Sequence, residues 1–159
     1  MAAVSFAADQ VDLALLRTLR EDGRQSVSAL ARDLHLSRSA VHQRLERLID
    51  ARVLLGFTPR VDSRPLGNTI AACVLLTAGQ GASLDWPPLR RAILELPHVE
   101  YAALVTGEAD VLLLVRVSDL DELRRFLMDE LRRISGMRGT LTLLVLEEVV
   151  RRAFLLPGE

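Results

Sequence analysis

Apolar residues recur at helical spacing in three places before residue 52. Leu13, Leu16 and Leu19, with Val11 and Leu15 beside them, form one stripe. Val27, Leu30, Ala31 and Leu34 form a second, and Val41, Leu45, Leu48 and Ile49 a third. The spacing predicts a helix over 9–20, stopped at Glu21-Asp22-Gly23, where glycine suits a left-handed C-terminal position. Ser26 is placed to cap a second helix over 27–34, and Ser37 a third over 38–51. His35 and Leu36 form the short turn between them. His35 stands where such a turn often has glycine, and His tolerates a positive φ better than most residues. Two helices joined by so short a turn are helix-turn-helix geometry.

Beyond residue 53 the pattern changes. The boundary segment Thr58–Gly67, with Pro59, Pro65 and Gly67, reads as a strand followed by a linker. Then come a strand over 70–76, a helix opened by Pro87-Pro88 and ended by Pro97, and strands over 99–106 and 111–117. A helix follows, starting at Ser118 with Asp121 in a capping-box-like arrangement and running to about Ile134, and a last strand is expected over 140–150. The order is βαββαβ, the ferredoxin-like arrangement of an antiparallel sheet with helices on one face. The expected class is therefore α+β, a winged helix-turn-helix followed by a ferredoxin-like domain. The expected division is 1–53 for the helix-turn-helix domain, 54–67 for strand and linker, 68–153 for the ferredoxin-like domain, and 154–159 as a tail.

The strands do not alternate. Val111–Val115 and Leu141–Leu146 are apolar toward both faces, whereas an antiparallel sheet with one face in water alternates apolar and polar. The sheet face without helices therefore needs a cover. A second copy of the same sheet is the expected one, giving a two-fold homodimer; cover by the winged segment of the same chain is the alternative.

Composition narrows the class. Of 159 residues, 50% are hydrophobic and mean hydropathy is +0.23, which argues against disorder. One cysteine, Cys73, excludes a disulfide scaffold, and it reads as an inert core residue of an apolar strand. The longest apolar run, Ile70 to Leu76, is far shorter than a membrane span, and the N-terminus lacks a signal-peptide pattern. A soluble cytoplasmic protein is the expectation. The formal net charge of −1 hides a division. Residues 1–60 hold nine Arg against seven acids, and the remainder eleven Arg against fourteen acids. The basic excess lies between Arg24 and Arg52, which suggests a nucleic-acid face joined to a second module.

At 100° per residue, Val41, Leu45 and Leu48 share the core side of the third helix. Ser39, Gln43 and Arg47 lie opposite, with His42 and Glu46 adjacent and Arg38 and Arg44 on the flanks. A groove-reading helix needs short donors and amides for base edges and flanking Arg for phosphates. Arg38, Ser39, His42 and Gln43 are assigned to bases, and Arg44 and Arg47 mainly to phosphate. Ser37, Ser26, Ser28 and Arg24, near helix N-termini, are candidates for the DNA backbone. A solvated Arg-rich face in a small helical bundle stays open as the other reading.

Enzymatic and metal chemistry find no motif. His35, His42 and His98 are isolated from one another and from Cys73, with no zinc spacing. Gly-x-Ser-x-Gly, Walker A and Gly-x-Gly-x-x-Gly patterns are missing. No metal and no cofactor other than a small effector is expected.

Taken in order, the motifs resemble the leucine-responsive regulatory protein/AsnC (Lrp/AsnC) family of transcription regulators. The residues are Asp12–Arg24 with its Asp-Gly-Arg turn, Leu30–Ser37 for the helix-turn-helix, Arg44–Leu48 followed by Val53–Phe57, and Val105-Thr-Gly-Glu-Ala-Asp110. The resemblance covers about Asp9 to Arg151. It implies a winged-helix module that binds double-stranded DNA, and an effector domain that dimerises through its sheet. Dimers of such proteins often assemble further, commonly into octamers. Small ligands, usually amino acids, bind between dimers near the Gly-x-x-Asp loop. By position, Thr106, Gly107, Glu108 and Asp110 are implied ligand contacts, with Thr140 and Thr142 weaker. The implied function is a sequence-specific, effector-controlled transcriptional regulator, cytoplasmic and nucleoid-associated when bound, and not an enzyme. An effector-independent architectural DNA binder is the main alternative. A tetrapyrrole decarboxylase of related architecture would need more than His98 and Tyr101 around its substrate.

Overall fold

A computed structural model of the chain describes residues 6–79, 86–134, 136–149 and 153–158. The chain divides into two compact units, residues 1–60 with 149–159, and residues 61–148.

The first unit is built on three helices, α1 (Gln10–Glu21), α2 (Val27–Asp33) and α3 (Arg38–Asp50). Their apolar stripes converge on one core that includes Leu15, Leu30, Val41 and Leu48. Ser26 caps α2 by accepting from Ala29 N (3.2 Å), and Ser37 caps α3 by accepting from Ala40 N (3.1 Å). The turn after α2 closes with Leu36 N donating to Ala31 O (2.8 Å) and His35 N to Arg32 O (3.2 Å), with His35 left-handed at φ 54°. This is a Schellman closure in which His occupies the usual glycine position. The same motif ends α3: Val53 N donates to Leu48 O (2.9 Å), and Arg52 takes φ 54°.

Two expectations for this unit are corrected. No strand forms over 54–67: Val53–Phe57 carries apolar side chains but has no ladder partner among the described residues, and Leu55 is 86% exposed. A strand needs a neighbour for its backbone groups, and local sequence cannot supply one. The C-terminal stretch expected as a tail contributes Leu156 to the core of α1–α3. Arg20 anchors it, donating to Phe154 O (3.1 Å) with its guanidinium 5.5 Å from the Phe154 ring centroid.

The second unit is α+β. Strands β1 (Ile70–Ala78), β2 (Val99–Leu104), β3 (Val111–Val117) and β4 (Met137–Leu144) form one antiparallel sheet in the order β2-β3-β1-β4. Helices α4 (Trp86–Leu94) and α5 (Leu120–Arg125) supply Leu89, Ile93 and Leu123 to its core. The inner face presents Ala72, Val74 and Leu76 from β1 and Val111, Leu113, Val115 and Val117 from β3. Three details differ from expectation. Asp119, rather than Ser118, caps α5 by accepting from Glu122 N (2.8 Å), while Ser118 N donates to Glu122 (2.7 Å). The helix does not run evenly to Ile134 but passes into a π turn at Phe126–Glu130 and a 3₁₀ turn at Leu131–Arg133. Strand β4 starts at Met137 and ends at Leu144, because beyond Ala72 its partner β1 gives only one further bond, Val145 N to Ala71 O (2.9 Å).

The register fixes the second face. Ala71, Cys73 and Leu75 stand opposite Arg116, Leu114 and Leu112, and Cys73 and Leu75 stand opposite Leu143 and Leu141. Cys73 is thus on the helix-free face and half-buried, not in the core. Around it Leu141 is 56% exposed, Leu143 49% and Tyr101 58%. The only charged residue of β3, Arg116, is held there by Glu100 (2.7 Å) and by Glu148.

Candidate nucleic-acid interface and ligand loop

Arg38, Ser39, His42 and Gln43 are all exposed along α3. Among the described residues, Arg38 and Gln43 make no side-chain hydrogen bond or ion pair. Ser39 Oγ lies 3.0 Å from Ser37 Oγ, so the capping hydroxyl and its neighbour form one polar cluster at the α3 N-terminus. His42 Nε2 is 3.2 Å from Glu46 Oε1, an i,i+4 pair that turns the imidazole along the helix. Ser26 and Arg24 are exposed beside the N-terminus of α2, with Ser26 engaged in its cap.

Arg44 and Arg47 are also tied within the fold, which the sequence expectation did not include. Arg44 Nη1 donates to Asp9 Oδ2 and to Asp12 Oδ1, both at 2.7 Å. Arg47 Nη2 donates to Asp12 Oδ2, and its guanidinium lies 5.2 Å from the Phe6 ring centroid. Asp12 is fully buried. It also accepts from Asp9 N (3.0 Å), while Asp9 accepts from Asp12 N (2.8 Å), a reciprocal capping box at the start of α1. The Arg44 guanidinium, followed by the Asp12 backbone N–H, holds the Asp9 carboxyl below its ordinary value near 3.8. Asp9 pushes the Arg44 guanidinium up in turn. Arg44 Nη1 and Arg47 Nη2 thus tie α3 to α1, while the remaining guanidinium donors of Arg47, 48% exposed, stay open to solvent.

Periodicity put Arg44 and Arg47 on polar faces but carried no information about Asp9 and Asp12, more than 30 residues away. The available signal was the pair of acids at i and i+3 before the first apolar stripe, matched by two arginines at i and i+3 in the third.

In the second unit, residues 105–110 close the turn between β2 and β3. Val105 N donates to Asp110 O and Asp110 N to Leu76 O, both at 2.9 Å. Asp110 Oδ2 accepts from Ala78 N at 2.7 Å, and Thr77 Oγ1 donates to Glu108 O at 3.4 Å. The turn is thereby tied to the end of β1. Gly107 has φ 130°, a conformation that a side chain strains, although a Cβ there would meet nothing within 4 Å. Thr106, Gly107 and Glu108 are exposed. Thr140 on β4 stands opposite Leu76, whose partner on the other side is Val111, the residue after the turn. Thr140 is therefore at the same end of the sheet as the turn, one strand across, and Thr142 is two residues further in, opposite Val74. Among the described residues no helix is long and apolar enough to cross a membrane, and no group of three His, Cys, Asp or Glu could hold a metal.

Comparison with known proteins agrees with this layout. Residues 9–49 match the AsnC-type helix-turn-helix domain, and residues 71–154 match the Lrp/AsnC ligand binding domain. An uncharacterised HTH-type transcriptional regulator of Pyrococcus abyssi is 35% identical over 138 residues, covering 84% of this chain and 83% of that protein. The leucine-responsive regulatory protein of Salmonella typhimurium is 30% identical over 141 residues, covering 89% and 86%. Among solved structures, a transcriptional regulator of Neisseria meningitidis in complex with L-Met is similar with a TM-score of 0.84 at 23% identity, covering 94% of this chain and 96% of that one.

Proposed function

The chain belongs to the Lrp/AsnC family of transcriptional regulators, and from that premise we propose that it reads a specific DNA sequence under the control of a small effector. The observation carrying the DNA half is the exposed row Arg38, Ser39, His42 and Gln43 on a Ser-capped α3, in which Arg38 and Gln43 make no side-chain hydrogen bond among the described residues while Ser39 and His42 pair only with exposed neighbours on the same helix end and face. Gln43 and Arg38 have the amide and guanidinium chemistry that distinguishes base pairs in the major groove. Phosphate contacts fall to Arg24 and to the capped N-termini at Ser26 and Ser37, where free N–H groups and the helix dipole favour anions. Arg44 and Arg47, placed for phosphate, also set the pose of α3, since one guanidinium nitrogen of each is held by Asp9 and Asp12.

The effector reading is an amino acid bound near Thr106, Gly107, Glu108 and Asp110, with Thr140 and Thr142 at the same end of the sheet. The open space above Gly107 leaves its backbone accessible to a carboxylate. The Neisseria regulator of the same fold holds L-Met. The partner assembly is a two-fold homodimer joined at the helix-free sheet face, with further association of dimers. Exposed Leu141, Leu143 and Tyr101 around Leu75, Leu112 and Leu114 support it, since contiguous apolar surface of this kind marks an interface. The protein acts as a regulator and not as an enzyme, in the cytoplasm.

One observation favours the effector-independent reading. The Asp110 carboxylate already accepts from Ala78 N, so part of the loop's polarity is spent on closing the turn. Selection of bound fragments from the source genome, with and without candidate amino acids, separates the two. Fragment enrichment that changes with one amino acid supports effector control. Enrichment that is sequence-specific but unchanged by all of them supports the architectural reading, and no enrichment overturns both.

A further inference from the structure

The residues that lead into α1 lie against the third helix. The reciprocal capping box of Asp9 and Asp12 fixes how the chain enters α1, with Asp9 extended at φ −84°, ψ 173°. Phe6, three residues ahead of that cap, is half-buried and packs against the core of α1–α3. It lies outside the stretch 9–49 shared with AsnC-type domains, so the family likeness does not supply it. Its ring centroid is 5.2 Å from the guanidinium carbon of Arg47, within reach of a cation–π contact.

Arg47 is therefore held from two directions. Asp12 Oδ2 accepts from its Nη2, and the Phe6 ring stands beside the guanidinium. Among the described residues Nε and Nη1 donate to no acceptor, and the side chain is 48% exposed. A guanidinium carries its donors in a rigid planar fork, so fixing one nitrogen and one face fixes where the others point. Arg47 follows Gln43 by four residues and Ser39 by eight, which puts all three on one side of α3. A free surface arginine must give up rotamer freedom when it meets a ligand, and that ordering weakens binding. At Arg47 the ordering is done inside the protein. Arg38, which makes no side-chain hydrogen bond or ion pair among the described residues, has no such support. The cluster of Arg44 and Arg47 with Asp9 and Asp12 is formally neutral, so its hold on an anion depends on the direction of its donors rather than on net charge.

We propose that Phe6 is a positioning residue for DNA binding: with Asp12 it presets the Arg47 guanidinium so that the free donors meet a backbone phosphate. The inference rests on the reading of α3 as the DNA-reading helix. Phe6 acts through Arg47, and its effect on affinity disappears when Arg47 is gone.

Fluorescence anisotropy of the full-length protein, on a selected genomic fragment and on a random duplex across a salt series, tests this as a cycle of wild type, Phe6→Leu, Arg47→Ala and the double variant. Leucine keeps apolar cover on the core and removes the ring. Arg47→Ala is expected to weaken binding to both duplexes and to reduce the salt slope by about one. Phe6→Leu is expected to weaken both about threefold with the wild-type salt slope, and to change nothing in the Arg47→Ala background. Phe6→Tyr, which keeps the ring, retains the wild-type affinity. A Phe6→Leu loss that persists undiminished without Arg47 shows a role in folding alone and overturns the proposal. No loss in Phe6→Leu, or a wild-type salt slope in Arg47→Ala, overturns it as well, and each leaves base reading by Gln43 standing. Failure of the wild type to bind either duplex overturns the DNA reading itself, and the positioning role with it.

Discussion

Removing the Asp12 side chain tests how the reading helix is held. In Asp12→Ala, Arg44 loses one of two carboxylate partners, Arg47 loses its hydrogen-bonded carboxylate, and Asp9 N loses its acceptor in the capping box. Breaking a buried ion pair from one side costs about 3–5 kcal/mol. Asp12 is fully buried, but the arginine side chains are 25% and 48% exposed, so water can recover part of their solvation. The lower end, about 3 kcal/mol, is the expected loss. Hydrogen–deuterium exchange read on peptides of α1 and α3 resolves it within this unit, because amide protection there reports local opening. A loss of that size speeds exchange by roughly a hundredfold. Adding Arg44→Ala should cost less than the sum of the single changes, by about 1 kcal/mol or more, since the two share one contact. An acceleration below about fivefold in Asp12→Ala, or strict additivity with Arg44→Ala, refutes the lock and leaves the two arginines to the DNA backbone alone.

The remaining expectations concern pH, the helix-free sheet face and two backbone positions. Asp9 has a depressed folded pKa, so its contribution is present above the ordinary value near 3.8 and is lost as pH falls through the folded value. Acid titration of α1 protection should show that loss in the wild type, and Asp9→Asn should remove it. Leu141→Arg places a charge on the exposed sheet face and should shift the molar mass in light scattering from dimer to monomer, with the fold retained by circular dichroism. An unchanged mass removes this face from the interface. His35→Gly relieves a left-handed β-carbon and should stabilise the first unit by up to about 1 kcal/mol; a lower thermal midpoint contradicts the Schellman closure. Gly107→Val strains a φ of 130° by about 1–3 kcal/mol without a steric clash. It should therefore abolish the amino-acid response while the sheet stays folded, and an unchanged response removes the turn from the effector site.

Much of the fold was legible because it rests on local signals. Periodicity at Leu13–Leu19, Val27–Leu34 and Val41–Ile49 gave three helices, and Ser26 and Ser37 marked two starts within a residue. The unbroken apolar strands predicted a sheet with an unmet face, and register places Cys73, Leu75, Leu112 and Leu114 on it. What escaped depends on partners distant along the chain. Val53–Phe57 has strand composition, but composition does not supply a ladder. Leu156 joins the first core from the far end, and three apolar residues near a terminus carry no direction. Cys73 looked like core because both faces of its strand are apolar. At the DNA helix, periodicity sorted α3 into faces, yet only coordinates show Asp9 and Asp12 engaging Arg44 and Arg47. The π turn at Phe126–Glu130 left no mark in a sequence that reads as one helix.

The central claim is that the exposed row of α3 reads bases. Fluorescence anisotropy can compare wild type and Gln43→Ala on a selected genomic fragment and on a random duplex, across a series of salt concentrations. The account predicts that Gln43→Ala loses about 1–3 kcal/mol on the selected fragment, relaxes preference at one position, and keeps the wild-type affinity and salt slope on random DNA. Equal weakening on both duplexes would contradict it.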